Sequence, residues 1–242
     1  LPVLCYSPSS LRKREGGNIA MSEIFFLGVK NRDRYLRFIS PVGDLFARAG
    51  IHPHVLTAAG FVVSLLAALP YAKGSFFWGA CLLVVAGICD TLDGQIARKT
   101  NKQSRFGAFF DSTLDRYSDL FPFAGMAYYF SGGGGGFAGS TPGANPSPLT
   151  IIAIIMVIAG SFMVSYTRAR AEGLGVECRK GIMQRPERIT FLIIGSFLGA
   201  IPAIGLVLLK ITLVILAVLT NATAVSRIVY TRRELSAGKG GM

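Results

Sequence analysis

Apolar residues along this chain gather into six long runs separated by short charged or glycine-rich stretches, with little of the alternation a strand would need. The runs cover residues 55–71, 76–89, 106–130, 149–166, 189–200 and 204–229. Several are apolar on every face over roughly 17–25 residues, the length that crosses a bilayer, whereas a helix of a soluble domain carries only a stripe. Pro202 and Gly205 divide the last two runs, because one helix through both would be far too long for a single crossing. Ahead of them, Tyr35, Phe38, Ile39, Val42, Leu45 and Phe46 recur at three- and four-residue steps among Arg32, Arg34, Arg37 and Arg48. Pro41 interrupts that pattern, which predicts a kinked or broken basic amphipathic helix lying on the membrane surface. The expected fold is an all-α integral membrane protein: six transmembrane helices preceded by an N-terminal interfacial amphipathic helix.

Charge then orients the spans. The chain has 242 residues, 16% of them charged, with a formal charge of +12. Such an excess suits nucleic acid or an anionic membrane surface, and the basic residues lie between apolar runs, which excludes a nucleic-acid domain. Lys99, Lys102 and Arg105 fall between runs two and three; Arg168, Arg170, Arg179, Lys180, Arg185 and Arg188 between four and five; Arg232, Arg233 and Lys239 after six. Residues 131–148 carry no charge, the turn near Pro202 carries none, and the turn at Lys73 carries one. Basic and non-basic loops alternate, so both termini are expected on the cytoplasmic side of a multi-pass protein of the cell membrane. The glycine run from Gly132 to Gly136 is then an extracytoplasmic connection, with no Lys to make it a phosphate cradle. Cys5, Cys81, Cys89 and Cys178 show no framework spacing and are expected as free thiols. The first twenty residues lack the apolar core of a signal peptide. The expected partition is an N-terminal extension without order (1–30), a membrane domain (31–233) and a C-terminal tail (234–242).

The chemistry concentrates between runs two and three. Asp90 and Asp93 are three residues apart at the end of one helix, and Asp111 and Asp115 are four apart at the start of the next, so each pair shares a face. A short polar connection makes those helices antiparallel neighbours, and four carboxylates converge at the cytoplasmic edge of the bilayer. A single Asp there is satisfied by a local arginine or a helix cap; four together repel one another and lose hydration unless a cation joins them. All-oxygen ligation selects Mg²⁺ or Mn²⁺ over zinc. Gly94, Ala97 and Gly107 remove bulk beside the aspartates, leaving room for a flat group and a diphosphate, and Arg98 is placed to hold the diphosphate. Close helix packing is the competing use of those glycines. His52 and His54 have no third ligand partner for zinc and read as helix-entry residues.

The stretch Asp90-x-x-Asp93-Gly94-x-x-Ala97-Arg98, then Gly107-x-x-x-Asp111-x-x-x-Asp115, resembles the signature of the CDP-alcohol phosphatidyltransferase family at every fixed position. The resemblance implies transfer of a phosphatidyl group from a CDP-linked lipid to an alcohol. It implies two metal ions held by Asp90, Asp93, Asp111 and Asp115, with Asp115 also taking the proton from the attacking hydroxyl. It assigns CDP-lipid contacts to Gly94, Arg98 and Ser104, and to Pro53, His54, Val55, Leu56 and Thr57, which resemble the family's Pro-x-x-x-Thr entry to the first span. A homodimer is the family's usual assembly.

A second region bears on the acceptor. Ser165 to Glu172, read as a loop, and Arg185-Pro186-Glu187-Arg188 lie on the same side as the aspartates. Arginines beside a polar pocket suit an anionic acceptor, most simply a phosphorylated alcohol, although setting topology and touching lipid phosphates would explain them too. Tyr166-x-x-Ala169-Arg170-Ala171-Glu172 and Arg185-Pro186-Glu187-Arg188 resemble the branch of the family that makes phosphatidylinositol phosphate from inositol phosphate. Arg168, Arg170, Arg185 and Arg188 are therefore the candidate acceptor-phosphate residues. The alternatives are a sister transferase using glycerol phosphate, serine or choline, and, from another class, an ion-coupled transporter. A transporter would spread acidic residues near the bilayer midplane over several spans, and here they cluster at one edge.

Overall fold

The computed structural model describes residues 41, 42, 46, 53–99, 104–132, 146–178 and 181–237. The N-terminal extension, the glycine run beyond Gly132 and nearly all of the interfacial segment lie outside the described residues; Pro41, Val42 and Phe46 of that segment are helical. Six helices make up the described architecture: α1 Pro53–Ala72, α2 Phe76–Lys99, α3 Arg105–Phe130, α4 Pro148–Gly173, α5 Arg185–Gly199 and α6 Gly205–Ser236. α1 packs against α2 and α3, α4 against α3 and α6, and α5 against α2 and α6.

The helices outlast the apolar runs. α2 continues ten residues past Cys89, and α4 runs through the stretch expected as a loop after Ser165, ending at Gly173. That expectation is corrected for a simple reason. Tyr-Thr-Arg-Ala-Arg-Ala-Glu contains no helix breaker, and a helix leaving the bilayer can carry charged residues into water. Likewise α6 extends to Ser236, three residues beyond the expected end of the membrane domain at Arg233.

Among the described residues, four helices are long and apolar enough to cross a membrane: His54–Ala72, Phe76–Ile96, Pro148–Gly173 and Gly205–Ser236. Many of their large apolar residues face outward, Leu69, Trp78, Ile152, Ile155, Val214 and Val218 among them. A surface of that extent needs lipid, so this is a membrane protein. α3 has the length but carries four acidic or basic side chains between Asp111 and Asp119. α5, with 15 residues, is about 22 Å long, short of the roughly 30 Å hydrocarbon core.

Aromatic packing holds the end of the bundle opposite the aspartates. Tyr71, Phe76, Tyr129 and Phe130 form an aromatic cluster with ring centroids 5.1–6.3 Å apart. Tyr71 donates its hydroxyl to Ser196 Oγ at 2.9 Å, tying α1 to α5 in the core. At Gly125 a Cβ would lie 2.3 Å from the Ala68 carbonyl oxygen, so glycine is what lets α3 rest directly on the backbone of α1. Locked at that end, α1, α2, α3 and α5 present polar residues at the other.

Candidate active site

Asp90 and Asp93 project from the C-terminal half of α2 and Asp111 from the second turn of α3. Ser104 sets where α3 begins: its extended backbone caps the helix and its Oγ accepts the Gly107 amide at 2.8 Å. Carboxylate oxygens of Asp90, Asp93 and Asp111 all lie within 4.8 Å of one another. Asp93 is 6% exposed, and its Oδ2 accepts the Thr57 hydroxyl of α1 at 2.6 Å. Asp111 Oδ1 is buried with no hydrogen-bond partner. Three converging carboxylates with an unsatisfied buried oxygen fit a hard cation with oxygen ligands, and among the described residues no nitrogen or sulfur donor joins them to suit zinc.

The fourth expected ligand sits differently. Asp115 is one turn along α3, where its Oδ1 pairs with Arg185 Nη1 at 2.9 Å and its Oδ2 lies 3.9 Å from Arg116. The same Arg185 Nη1 lies 2.9 Å from Asp90 Oδ1, so one guanidinium bridges α2 and α3. Arg185 Nε reaches Asp119 Oδ1 at 3.4 Å, and Arg188 Nη2 reaches Asp119 Oδ2 at 2.5 Å. Both arginines lie in the first turn of α5, before its apolar stretch. Burial works against the charge on Arg185, but the carboxylates of Asp119, Asp90 and Asp115 outweigh it and hold its pKa above the ordinary value. Next to them Glu187 is 3% exposed, and burial pushes its carboxyl up. A cleft between α1, α2, α3 and α5 is lined by Thr57, Asp90, Asp115, Ser118, Asp119, Arg185 and Arg188 over an apolar floor of Leu83, Phe123 and Leu192.

The other expected site residues divide. Pro53, His54, Val55, Leu56 and Thr57 form the first turns of α1. His54 meets Phe110 of α3 edge-on at 6.1 Å, and a Cβ on Gly107 would lie 2.9 Å from His54 Cε1, so Gly107 admits the imidazole. Val55 is exposed, while Leu56 is buried against Leu92 and Ile96 and holds α1 to α2. Gly94 follows Asp93 on α2; the side chains of Ala97 and Arg98 lie outside the described residues. Of the four candidate arginines, the fold brings Arg185 and Arg188 to the aspartates. Arg168 and Arg170 are exposed on the last turns of α4, away from the lining of that cleft, and Arg168 pairs with Glu172 at 2.8 Å. Asp119 and the Thr57–Asp93 bond were not expected. Asp119 had a signal, the third step of an Asp111, Asp115, Asp119 series at four-residue intervals; the Thr57 bond joins residues 36 apart and had none.

Comparison with known proteins agrees with this geometry. The family model of CDP-alcohol phosphatidyltransferase matches residues 51–229. The chain is 37% identical over 199 residues to archaetidylinositol phosphate synthase of Methanothermobacter thermautotrophicus, covering 82% of this chain and 91% of that protein. It is 33% identical over 206 residues to phosphatidylinositol phosphate synthase of Streptomyces avermitilis, covering 83% and 80%. Among solved structures it is similar to Mycobacterium tuberculosis phosphatidylinositol phosphate synthase with CDP-DAG bound, at TM-score 0.70 and 30% identity over 81% of this chain and 94% of that one. The same enzyme in complex with manganese and citrate matches at TM-score 0.69 and 30% identity, over 80% and 88%. The chain is an enzyme and belongs to the CDP-alcohol phosphatidyltransferase family.

Proposed function

We propose that this enzyme transfers the phosphatidyl group of a CDP-linked lipid to inositol phosphate, releasing CMP and forming a phosphatidylinositol phosphate. The observation that carries the reading is the meeting of two unlike charge clusters in one place: the Asp90, Asp93 and Asp111 cluster, and Arg185 and Arg188 beside it. Acids alone would serve a diphosphate through metal. Arginines in the same cleft, Arg188 buried and Arg185 half-buried, add a place for a second, anionic substrate. The relatives named for inositol phosphate lipids support the same acceptor.

Asp90, Asp93 and Asp111 hold divalent metal in this reading, with Asp115 completing a two-ion site, as Mg²⁺ or Mn²⁺; the manganese complex of the mycobacterial enzyme supports it. The metal, when bound, neutralises the diphosphate and stabilises the departing CMP. Gly94 and Ala97 leave room for the nucleotide, Gly107 seats the His54 imidazole at its edge, and Arg98, Ser104 and the first turns of α1 from Pro53 to Thr57 border it. The acceptor hydroxyl oxygen bonds to the phosphorus that carries the lipid. The bond from that phosphorus to the CMP oxygen breaks, and the hydroxyl proton passes to Asp115. Arg185 and Arg188 take the acceptor phosphate from inside the cleft, while Arg168 and Arg170 attract it from the exposed end of α4.

The same reading gives the membrane domain residues 31–233 and six crossings, with the short α5 and charged α3 sheltered by the other four helices. An interfacial helix precedes α1, both termini and the site face the cytoplasm, and the protein is a homodimer. The deciding experiment incubates purified protein with CDP-diacylglycerol and, in turn, inositol phosphate, glycerol phosphate, serine and inositol, measuring CMP. Release dependent on inositol phosphate is expected. Release with glycerol phosphate or serine instead would replace the acceptor, and no release with any alcohol would remove the activity.

A further inference from the structure

Asp119 belongs to none of the family's signature positions quoted above, yet it organises both arginines of the cleft. Its side chain is 13% exposed, and its two oxygens are divided between Arg185 Nε at 3.4 Å and Arg188 Nη2 at 2.5 Å. One carboxylate on α3 therefore fixes two guanidinium groups from α5, where free arginine side chains would sample many rotamers. The second observation is on Arg188. The residue is 4% exposed, and its Nη1 is buried without a hydrogen-bond partner. A buried charged donor left unpaired is costly and calls for an explanation, and an oxygen of an anionic ligand entering the cleft would satisfy it.

We propose that Asp119 is a positioning residue that holds Arg185 and Arg188 as a preset fork, with Arg188 Nη1 the donor awaiting an oxygen of the acceptor's phosphate. The inference rests on the reading of these arginines as the acceptor-phosphate site.

The test is steady-state CMP release by the full-length protein and its Asp119→Asn and Asp119→Glu variants, varying inositol phosphate and CDP-diacylglycerol separately. Asp119→Asn is expected to raise the KM for inositol phosphate on the order of ten-fold, leave the KM for the CDP-lipid within about two-fold, and weaken inhibition by inorganic phosphate by a similar factor. Asp119→Glu keeps the charge and should recover part of the loss. An unchanged acceptor KM, or equal rises in both KM values, overturns the proposal. Should the Asn variant lose the melting shift that CDP-diacylglycerol gives the wild type, Arg188→Lys replaces it, since it keeps the charge and removes Nη1. The acceptor KM should then rise alone, and an unchanged value again overturns the fork. If wild type makes no CMP with inositol phosphate, the acceptor reading fails by itself. Inorganic phosphate then judges the fork, by stabilising wild type against heat and not the variant; equal stabilisation of both overturns it.

Discussion

Replacing Thr57 by Val isolates one bond of the metal cradle. Val has nearly the shape of Thr but no donor, so α1 keeps its packing while Asp93 Oδ2 loses the 2.6 Å bond that fixes it. Two effects oppose each other. A donated proton draws charge from Oδ2, and its loss alone would strengthen a bond to metal. Against that, Asp93 is 6% exposed and shares its site with Asp90 and Asp111, so an untethered carboxylate turns away from its neighbours' charge. Orientation wins, because a hydrogen bond to a charged group contributes about 1.5–3 kcal/mol and removing such outer partners of metal ligands weakens affinity about 10–100-fold. At 1.4 kcal/mol per decade the two figures agree, which sets the expectation at roughly ten-fold or more. The assay is CMP release as a function of Mn²⁺ concentration, with Mn²⁺ binding followed independently by electron paramagnetic resonance. A half-saturation unchanged or lowered in Thr57→Val would refute the reasoning.

Three other outcomes follow from the same geometry. Asp115→Asn should abolish turnover and leave CDP-lipid binding largely intact, measured by CMP release and by lipid-induced melting shifts; comparable turnover removes Asp115 as the base. Arg188→Ala should raise the KM for inositol phosphate by ten-fold or more, since Arg188 is buried in the cleft, whereas Arg168→Ala should change it about two- to three-fold, since the exposed Arg168–Glu172 pair is screened by water. Gly125→Leu should prevent α3 from resting on α1 and lower the melting temperature with or without metal, because even a Cβ would lie 2.3 Å from the Ala68 carbonyl.

The helical period carried most of the site into view before any coordinates. Asp90 with Asp93, and Asp111 with Asp115, had to share faces, and a short connection had to bring the faces together. Hydropathy was a good guide to where helices are apolar and a poor one to where they end. α2 passes Cys89 and α4 passes Tyr166 because the apolar boundary marks the bilayer, while the backbone stays helical until a residue or turn stops it. Contacts between distant segments were not legible. Nothing local to Thr57 says that its hydroxyl meets Asp93, and nothing local to Arg185 says that it bridges Asp90 and Asp115. Arg168 and Arg185 look alike as basic residues of one loop region, yet the fold sets Arg185 in the cleft and leaves Arg168 exposed outside it. Asp119 was visible as a further four-residue step and was passed over because the signature ends at Asp115.

The central claim is that Asp90, Asp93 and Asp111 grip a divalent cation, and Mn²⁺ binding to purified protein tests it without reference to turnover. Electron paramagnetic resonance of wild type and of Asp93→Asn should show protein-bound Mn²⁺ in the first and a loss of affinity of ten-fold or more in the second. Equal binding by both proteins, or none by wild type at millimolar Mn²⁺, would contradict the account.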